Sequence, residues 1–189
     1  MPITGRTAKE CADTFREHIA GLLSKTISRT AHLDLFSSSG TYTMSYQVDL
    51  DTKFGRLRLH VAQALRAVGY GKGRCRLETS NYWYRLHRTS GNGEALLRWE
   101  YDRSHKPEND KPPRHHAHAP VEIDIGGDVT MDLDKMHLPT GWVTIEEVIR
   151  FAITELGHRP PCGNEWPKVL AESEGKFFED FTGKRLKQK

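Results

Sequence analysis

The sequence predicts an α+β domain: a mostly antiparallel sheet of three hairpins packed by N-terminal and C-terminal helices. Three observations lead there. Apolar residues recur at helical spacing near both ends of the chain, behind capping sequences. Between them, segments with apolar and polar residues in alternation are separated by turn-forming residues. The strands follow one another instead of alternating with helices, which argues against a parallel βαβ architecture.

The first helix is expected from Thr7 to Thr26. Thr7-Ala-Lys-Glu10 is a capping-box pattern, and Cys11, Phe15, Ile19, Leu22 and Leu23 form its apolar stripe. A hairpin follows, with arms at Arg29–Phe36 and Thr41–Leu50 around Ser37-Ser-Ser-Gly40. In the second arm Tyr42, Met44, Tyr46, Val48 and Leu50 alternate strictly with polar residues, the mark of a half-buried strand. Residues Lys53–Val68 fit two templates. Phe54, Leu57, Val61, Leu65 and Val68 suit a helix, whereas Leu57, Leu59 and Val61 also alternate. Sixteen residues exceed most strands, so a helix is expected here.

Gly69-Tyr-Gly-Lys-Gly73 breaks the chain, and Lys72, Arg74 and Arg76 around it read as a solvated basic loop. The second hairpin pairs Asn81–Arg88 with Glu94–Asp102 across a Gly-Asn-Gly turn. Its register is open. One pairing puts Arg85 and His87 on a face with Arg98 and Glu100, and a slip of one residue separates them. In the third hairpin Val121, Ile123 and Ile125 precede Gly126-Gly127, and Val129, Met131 and Leu133 follow. A helix then starts at Thr144, with Glu147 at N3, an apolar stripe of Ile145, Val148, Ile149, Ala152, Ile153 and Leu156, and Gly157 at the stop. Beyond Pro160-Pro161 a last amphipathic helix is expected over 166–181. The expected organisation is one α+β domain over 1–157 and a helical extension with a basic tail over 158–189.

Bulk properties narrow the classes of function. Hydrophobic residues make up 37% and charged residues 28% of the chain, as in soluble globular proteins. No apolar run reaches the roughly 20 residues of a membrane span, and the first residues lack a signal-peptide core. Cys11, Cys75 and Cys162 are odd in number and in no C-x-x-C pair, which indicates neither a disulfide framework nor a thiolate zinc site. Those features suit a cytoplasmic protein. A formal charge of +3 permits a nucleic-acid partner without demanding one.

Function is best sought in the segment Arg103–His118. It holds four of the ten histidines within fourteen residues, where about 0.7 would fall by even scatter. Arg103, Lys106, Lys111 and Arg114 are interleaved with them and suit an anionic, phosphate-like group. Counting back from Val121 with period two puts His115, Ala117 and Ala119 on the core side of a strand. His116 and His118 then share the opposite face, roughly 7 Å apart. Two imidazoles so placed would serve as general base and acid on a phosphodiester, or as half of a metal site. The surrounding cations favour the first, because they oppose a dication and stabilise a phosphorane. Asp102, Glu108 and Asp110 would complete a metal set in the second. The bland alternative is a polar surface connector. The other histidines, His137 among them, read individually as structural or surface residues. Tyr82, Trp83, Tyr84, Trp99 and Tyr101 are candidates to stack on bases, or simply the core of a hairpin.

The run Tyr82-x-Tyr84, Leu97-Arg98-Trp99-Glu100, His105, Pro113-Arg114-His115-His116-x-His118 and Thr144-Ile-Glu-Glu-Val148 resembles the TumE-type toxins of bacterial toxin–antitoxin systems. The likeness covers about residues 81–156. It departs at Tyr101, where an Asn is usual, and in the long linker between His105 and His115. The resemblance implies a bacterial toxin that cleaves nucleic acid and pairs with a DNA-binding, helix-turn-helix antitoxin. Together these readings make the expected activity a metal-independent endoribonuclease without cofactor. His105, His116 and His118 are its candidate acid–base groups, and Arg114 and Arg103 would stabilise phosphorane charge. Arg98, Lys111, Tyr84 and Tyr101 are the candidate substrate contacts. The alternatives are a non-catalytic module binding nucleic acid or a partner protein, and a metal-dependent phosphohydrolase using the same histidines.

Overall fold

The alternation of apolar residues seen at 42–50 continues across the chain's neighbouring segments, and a computed structural model shows where it leads. The structure describes residues 3–30, 32–71, 73–89, 95–104, 115–119, 122–124, 130–132 and 136–182. Strands β1 (Thr4–Gly5), β2 (Leu33–Ser38), β3 (Thr41–Thr52), β4 (Gly55–Gly69), β5 (Cys75–Arg88), β6 (Ala95–Asp102) and β7 (His115–His118) are followed by β8 (Glu122–Asp124), β9 (Thr130–Asp132) and β10 (Leu138–Pro139). The helices are α1 (Ala8–Thr26), α2 (Ile145–Thr154) and α3 (Trp166–Thr182). The α+β class with a mostly antiparallel sheet holds. The main sheet has eight strands in the order β10-β7-β6-β5-β4-β3-β2, with β1 pairing onto β5.

One expected element is corrected. Residues 55–69 form strand β4, not a helix. Leu57, Leu59, Val61, Gln63 and Leu65 are all buried on one face, and Gln63 is accommodated there by donating Nε2 to Thr79 Oγ1 at 2.7 Å. Phe54, which the helical stripe would have buried, is 68% exposed in the β3–β4 turn. The competing period won because β4 has a long strand on each side to satisfy its backbone: it pairs with β3 from Gly55 to Arg66 and with β5 from Leu57 to Gly69. Gly55, at φ +98°, makes the turn into it.

The third hairpin forms as expected, with Ile123 opposite Met131, but as a two-stranded sheet of its own. Its Gly126-Gly127 turn lies outside the described residues. The main sheet is therefore a meander from β2 to β7, closed at its edge by the short β10.

All three helices contribute to a single core on one face of that sheet. Cys11, Phe15, Ile19, Leu22 and Leu23 of α1 meet Met44, Tyr46, Val61, Tyr82 and Tyr84. From α2 come Ile145, Val148, Ile149 and Ala152, and Leu170 of α3 is fully buried in the same cluster. The expected C-terminal extension is thus part of the core's packing. Thr144 caps α2 in a complete capping box with Glu147. At α1 the box is half formed, because Thr7 accepts from Glu10 N while the Glu10 carboxylate turns to Arg6 N. Cys11 and Cys75, remote in sequence, lie 3.5 Å apart as free thiols. Among the described residues no helix is long and apolar enough to cross a membrane.

A polar chain ties the helices together. His18 Nε2 lies 2.9 Å from Ser173 Oγ, which donates to the buried Glu146 Oε1 at 2.5 Å. Burial, with Lys176 nearby, pulls the His18 pKa down to about 4. Between about pH 4 and 6.5 the unfolded chain then binds a proton at His18 that the folded chain does not. Its contribution to stability is therefore present above pH 6.5 and is lost as pH falls toward 4. Glu146, whose pKa burial raises despite hydrogen bonds from Ser173 and Thr144, works in the opposite sense. His18→Gln should flatten the acid limb of a melting-temperature profile between pH 6.5 and 4. An acid limb as steep as the parent's would remove His18 as its source.

Candidate functional site: the polar face of the sheet

Strand period sends every second residue of β4 to β7 away from the helices, and the register now fixes which residues meet there. Gln47 faces His60, His60 faces Arg85, Arg85 faces Arg98, and Arg98 faces His118. The next row runs Ala62, Trp83, Glu100 and His116. The pairing that juxtaposes Arg85 with Arg98 and Glu100 is thus the one the chain adopts. A β-bulge between Leu86 and His87 leaves this arrangement in place. Among the described residues no helix packs on this face.

Like charges directly opposite one another destabilise a sheet, so the Arg85–Arg98 pair needs compensation. Glu100 supplies part of it, with Oε1 3.6 Å from Arg85 Nη2. The Arg85 guanidinium also sits over the Trp83 ring at 4.6 Å, and His60 meets that ring edge-on at 4.4 Å. Burial, reinforced by His87 and Arg85, lowers the His60 pKa, so this imidazole is neutral near pH 7.

At the end of the arginine row the histidines gather. His116 and His118 do share the face away from the core, with ring centroids 5.1 Å apart. His137 joins them at 4.9 Å from His116 and 4.6 Å from His118. The reason is register: Leu138 faces Ala117 in an antiparallel pair, which sets the preceding residue across from His118. One donor nitrogen from each ring lies within 4.8 Å of those of the other two, and the group grades from buried His118 through half-buried His116 to exposed His137. Glu100 Oε2 stands 3.7 Å from His116 Nε2. Three imidazoles so grouped suit either proton transfer or coordination of a divalent transition metal.

Several expected site residues lie elsewhere. Tyr84 and Tyr101, expected as substrate contacts, are buried on the helix side as part of the core, where Tyr84 stacks on Tyr82. Burial raises the Tyr84 pKa well above its usual value. Of the five aromatics considered for base stacking, only Trp83 is on the polar face; its neighbours in sequence point inward by the same period that turns it outward. Arg103 follows β6, and its Nη1 is held by Glu78 Oε2 at 2.5 Å. Burial opposes the Glu78 charge, but hydrogen bonds from Arg103, Arg76 and Arg66 prevail and hold its carboxyl below the usual range. Arg103 is thus engaged in an ion-pair cluster, not directed to the histidines. His115 is on the core side as expected, stacked on Tyr101 at 4.4 Å and beside Trp142. His105, Lys111 and Arg114 lie outside the described residues.

His137 and Arg85 are the site residues that sequence reading did not single out. His137 stands nineteen residues past His118, and only the β7–β10 pairing brings the two together. No protein-family model matches this chain, and no curated protein or solved structure matches it.

Proposed function

We propose that the polar sheet face binds single-stranded RNA and cleaves it at the histidine group. The observation that carries this reading is the cross-strand row His60, Arg85, Arg98, His118, which ends against His116 and His137. At a strand spacing of about 4.8 Å, the four strands of that row span about 14 Å, room for more than one phosphate. Arg98 and Arg85 present planar, permanently charged donors to phosphate oxygens. Trp83, beside them, offers aromatic surface to a base. The histidine group then acts on the scissile linkage: the ribose 2′-OH gives up its proton and attacks phosphorus, the P–O5′ bond breaks, and the 5′-oxygen leaves as a protonated hydroxyl, giving a 2′,3′-cyclic phosphate. The likeness to TumE-type toxins points to the same substrate class and to a small antitoxin as partner.

The binding half of this reading is tested by titrating a labelled single-stranded RNA at several salt concentrations. Arg98→Ala should weaken binding and reduce the salt slope by about 0.7, the loss of roughly one phosphate contact on a single strand. Arg98→Lys should keep the slope but not the full affinity, since it keeps the charge and loses the fork. Binding of unchanged affinity and slope in Arg98→Ala would exclude this row as the RNA track.

A further inference from the structure

We infer that His116, His118 and His137 hold one divalent transition metal of the zinc class, with a fourth position open toward solvent beside His137. This rests on the reading of the polar face as a reaction site, and it specifies how that site works. The argument starts from distance. An acid and a base that flank one phosphodiester must each reach a different oxygen across phosphorus, which sets their nitrogens roughly 6 Å or more apart. Here the three donor nitrogens all lie within 4.8 Å of one another. Those three nitrogens stand too close together to sit astride a phosphate as acid and base. Their spacing is close to that of a metal triad: ligand bonds of about 2.0–2.1 Å at tetrahedral angles put imidazole nitrogens about 3.4 Å apart. Closing the difference takes a shift of about 1.4 Å or less between any two rings.

The surroundings fit the same assignment. Three imidazole ligands with no thiolate suit zinc and its neighbours in the first transition row. Two ligands come from alternate positions of one strand and the third from the residue just before the adjoining strand, so strand pairing places all three. Glu100 Oε2, 3.7 Å from His116 Nε2, is within a small movement of accepting a hydrogen bond from that ring. A carboxylate behind a ligating histidine orients the imidazole and strengthens its donation. The same carboxylate offsets the adjacent arginines, which would otherwise repel a dication. Because His118 is buried while His137 is exposed, the position beside His137 is the one that water and substrate can reach. A water held there would ionise near neutral pH, supplying the base that the crowded imidazoles cannot supply as a spaced pair.

The test uses the full chain, stripped with a chelator and then titrated with zinc by calorimetry and with cobalt(II) as a visible-spectrum probe. One metal per chain is expected, with the intense absorption of tetrahedral cobalt. His137→Ala, an exposed and therefore fold-neutral change, should weaken binding about tenfold or more and abolish that spectrum. No stoichiometric binding, or binding indifferent to His137→Ala, would overturn the metal site. Cleavage is scored separately. Metal bound at this site without RNA cleavage would refute the nuclease reading and leave the metal standing. RNA cleavage by metal-free protein in excess chelator would leave the nuclease reading standing and overturn the metal as the source of the reaction's base.

Discussion

Ile149→Asp should abolish soluble, folded protein. Ile149 is fully buried in the middle of α2, in the cluster where Val148, Leu170 and the inward residues of β3 to β5 meet. Its burial alone contributes about 1.5–3 kcal/mol. A carboxylate in its place would lose that and add the cost of an ion or an uncompensated hydroxyl in an apolar site, several kcal/mol more. Domains of this size have net stabilities of about 5–15 kcal/mol, so the variant falls to the margin or below it. Ile149→Val, which removes one methylene, should cost only about 0.5–1.5 kcal/mol and remain soluble. Expression followed by thermal denaturation of the two variants checks this. A folded Ile149→Asp protein with the parent's melting temperature would mean that α2 buries a different face.

The second large effect is on chemistry. His116→Ala should lower RNA cleavage by about 10²–10⁴ while leaving the melting temperature within a few degrees of the parent. His116 is the more suitable target because its side chain, 12% exposed on the polar face, keeps a path to water, so truncation should not leave a sealed cavity. His118 is a less clean probe. At 5% exposure it is buried, so its removal should cost stability as well as activity. His115→Ala should separate from both, since it removes a ring stacked on Tyr101 and packed edge-on against Trp142, and so costs stability before activity. Melting curves and initial rates on one RNA substrate, measured for all three, distinguish the two kinds of loss.

Much of the fold was legible because local signals and tertiary context agree. Thr144 and Glu147 announce α2, and the alternation from Tyr42 to Leu50 announces β3. The failure at β4 has a specific cause. Leu57, Val61 and Leu65 satisfy both periods at once, and Gln63, a polar residue on the buried face, hides the strand pattern until Thr79 is known to partner it. For the site, the sequence supplied the His116-x-His118 pair and its outward face. It could not supply His137, since long-range strand pairing places it, nor the Arg85–Arg98 row, since a one-residue slip would have dispersed it. Tyr84 and Tyr101 were attractive as base-stacking residues only while their face was undetermined. Periodicity alone does not say which side of a strand the helices cover.

The central claim is that the histidine group at the end of the arginine row cleaves RNA. It is tested most directly by incubating the purified chain with an end-labelled single-stranded RNA and with DNA of the same sequence, alongside His116→Ala. The account predicts that the parent cuts the RNA to products ending in a 2′,3′-cyclic phosphate, leaves the DNA intact for want of a 2′-OH, and loses the activity with His116. Intact RNA under conditions where it is bound, or cleavage undiminished in His116→Ala, would contradict it.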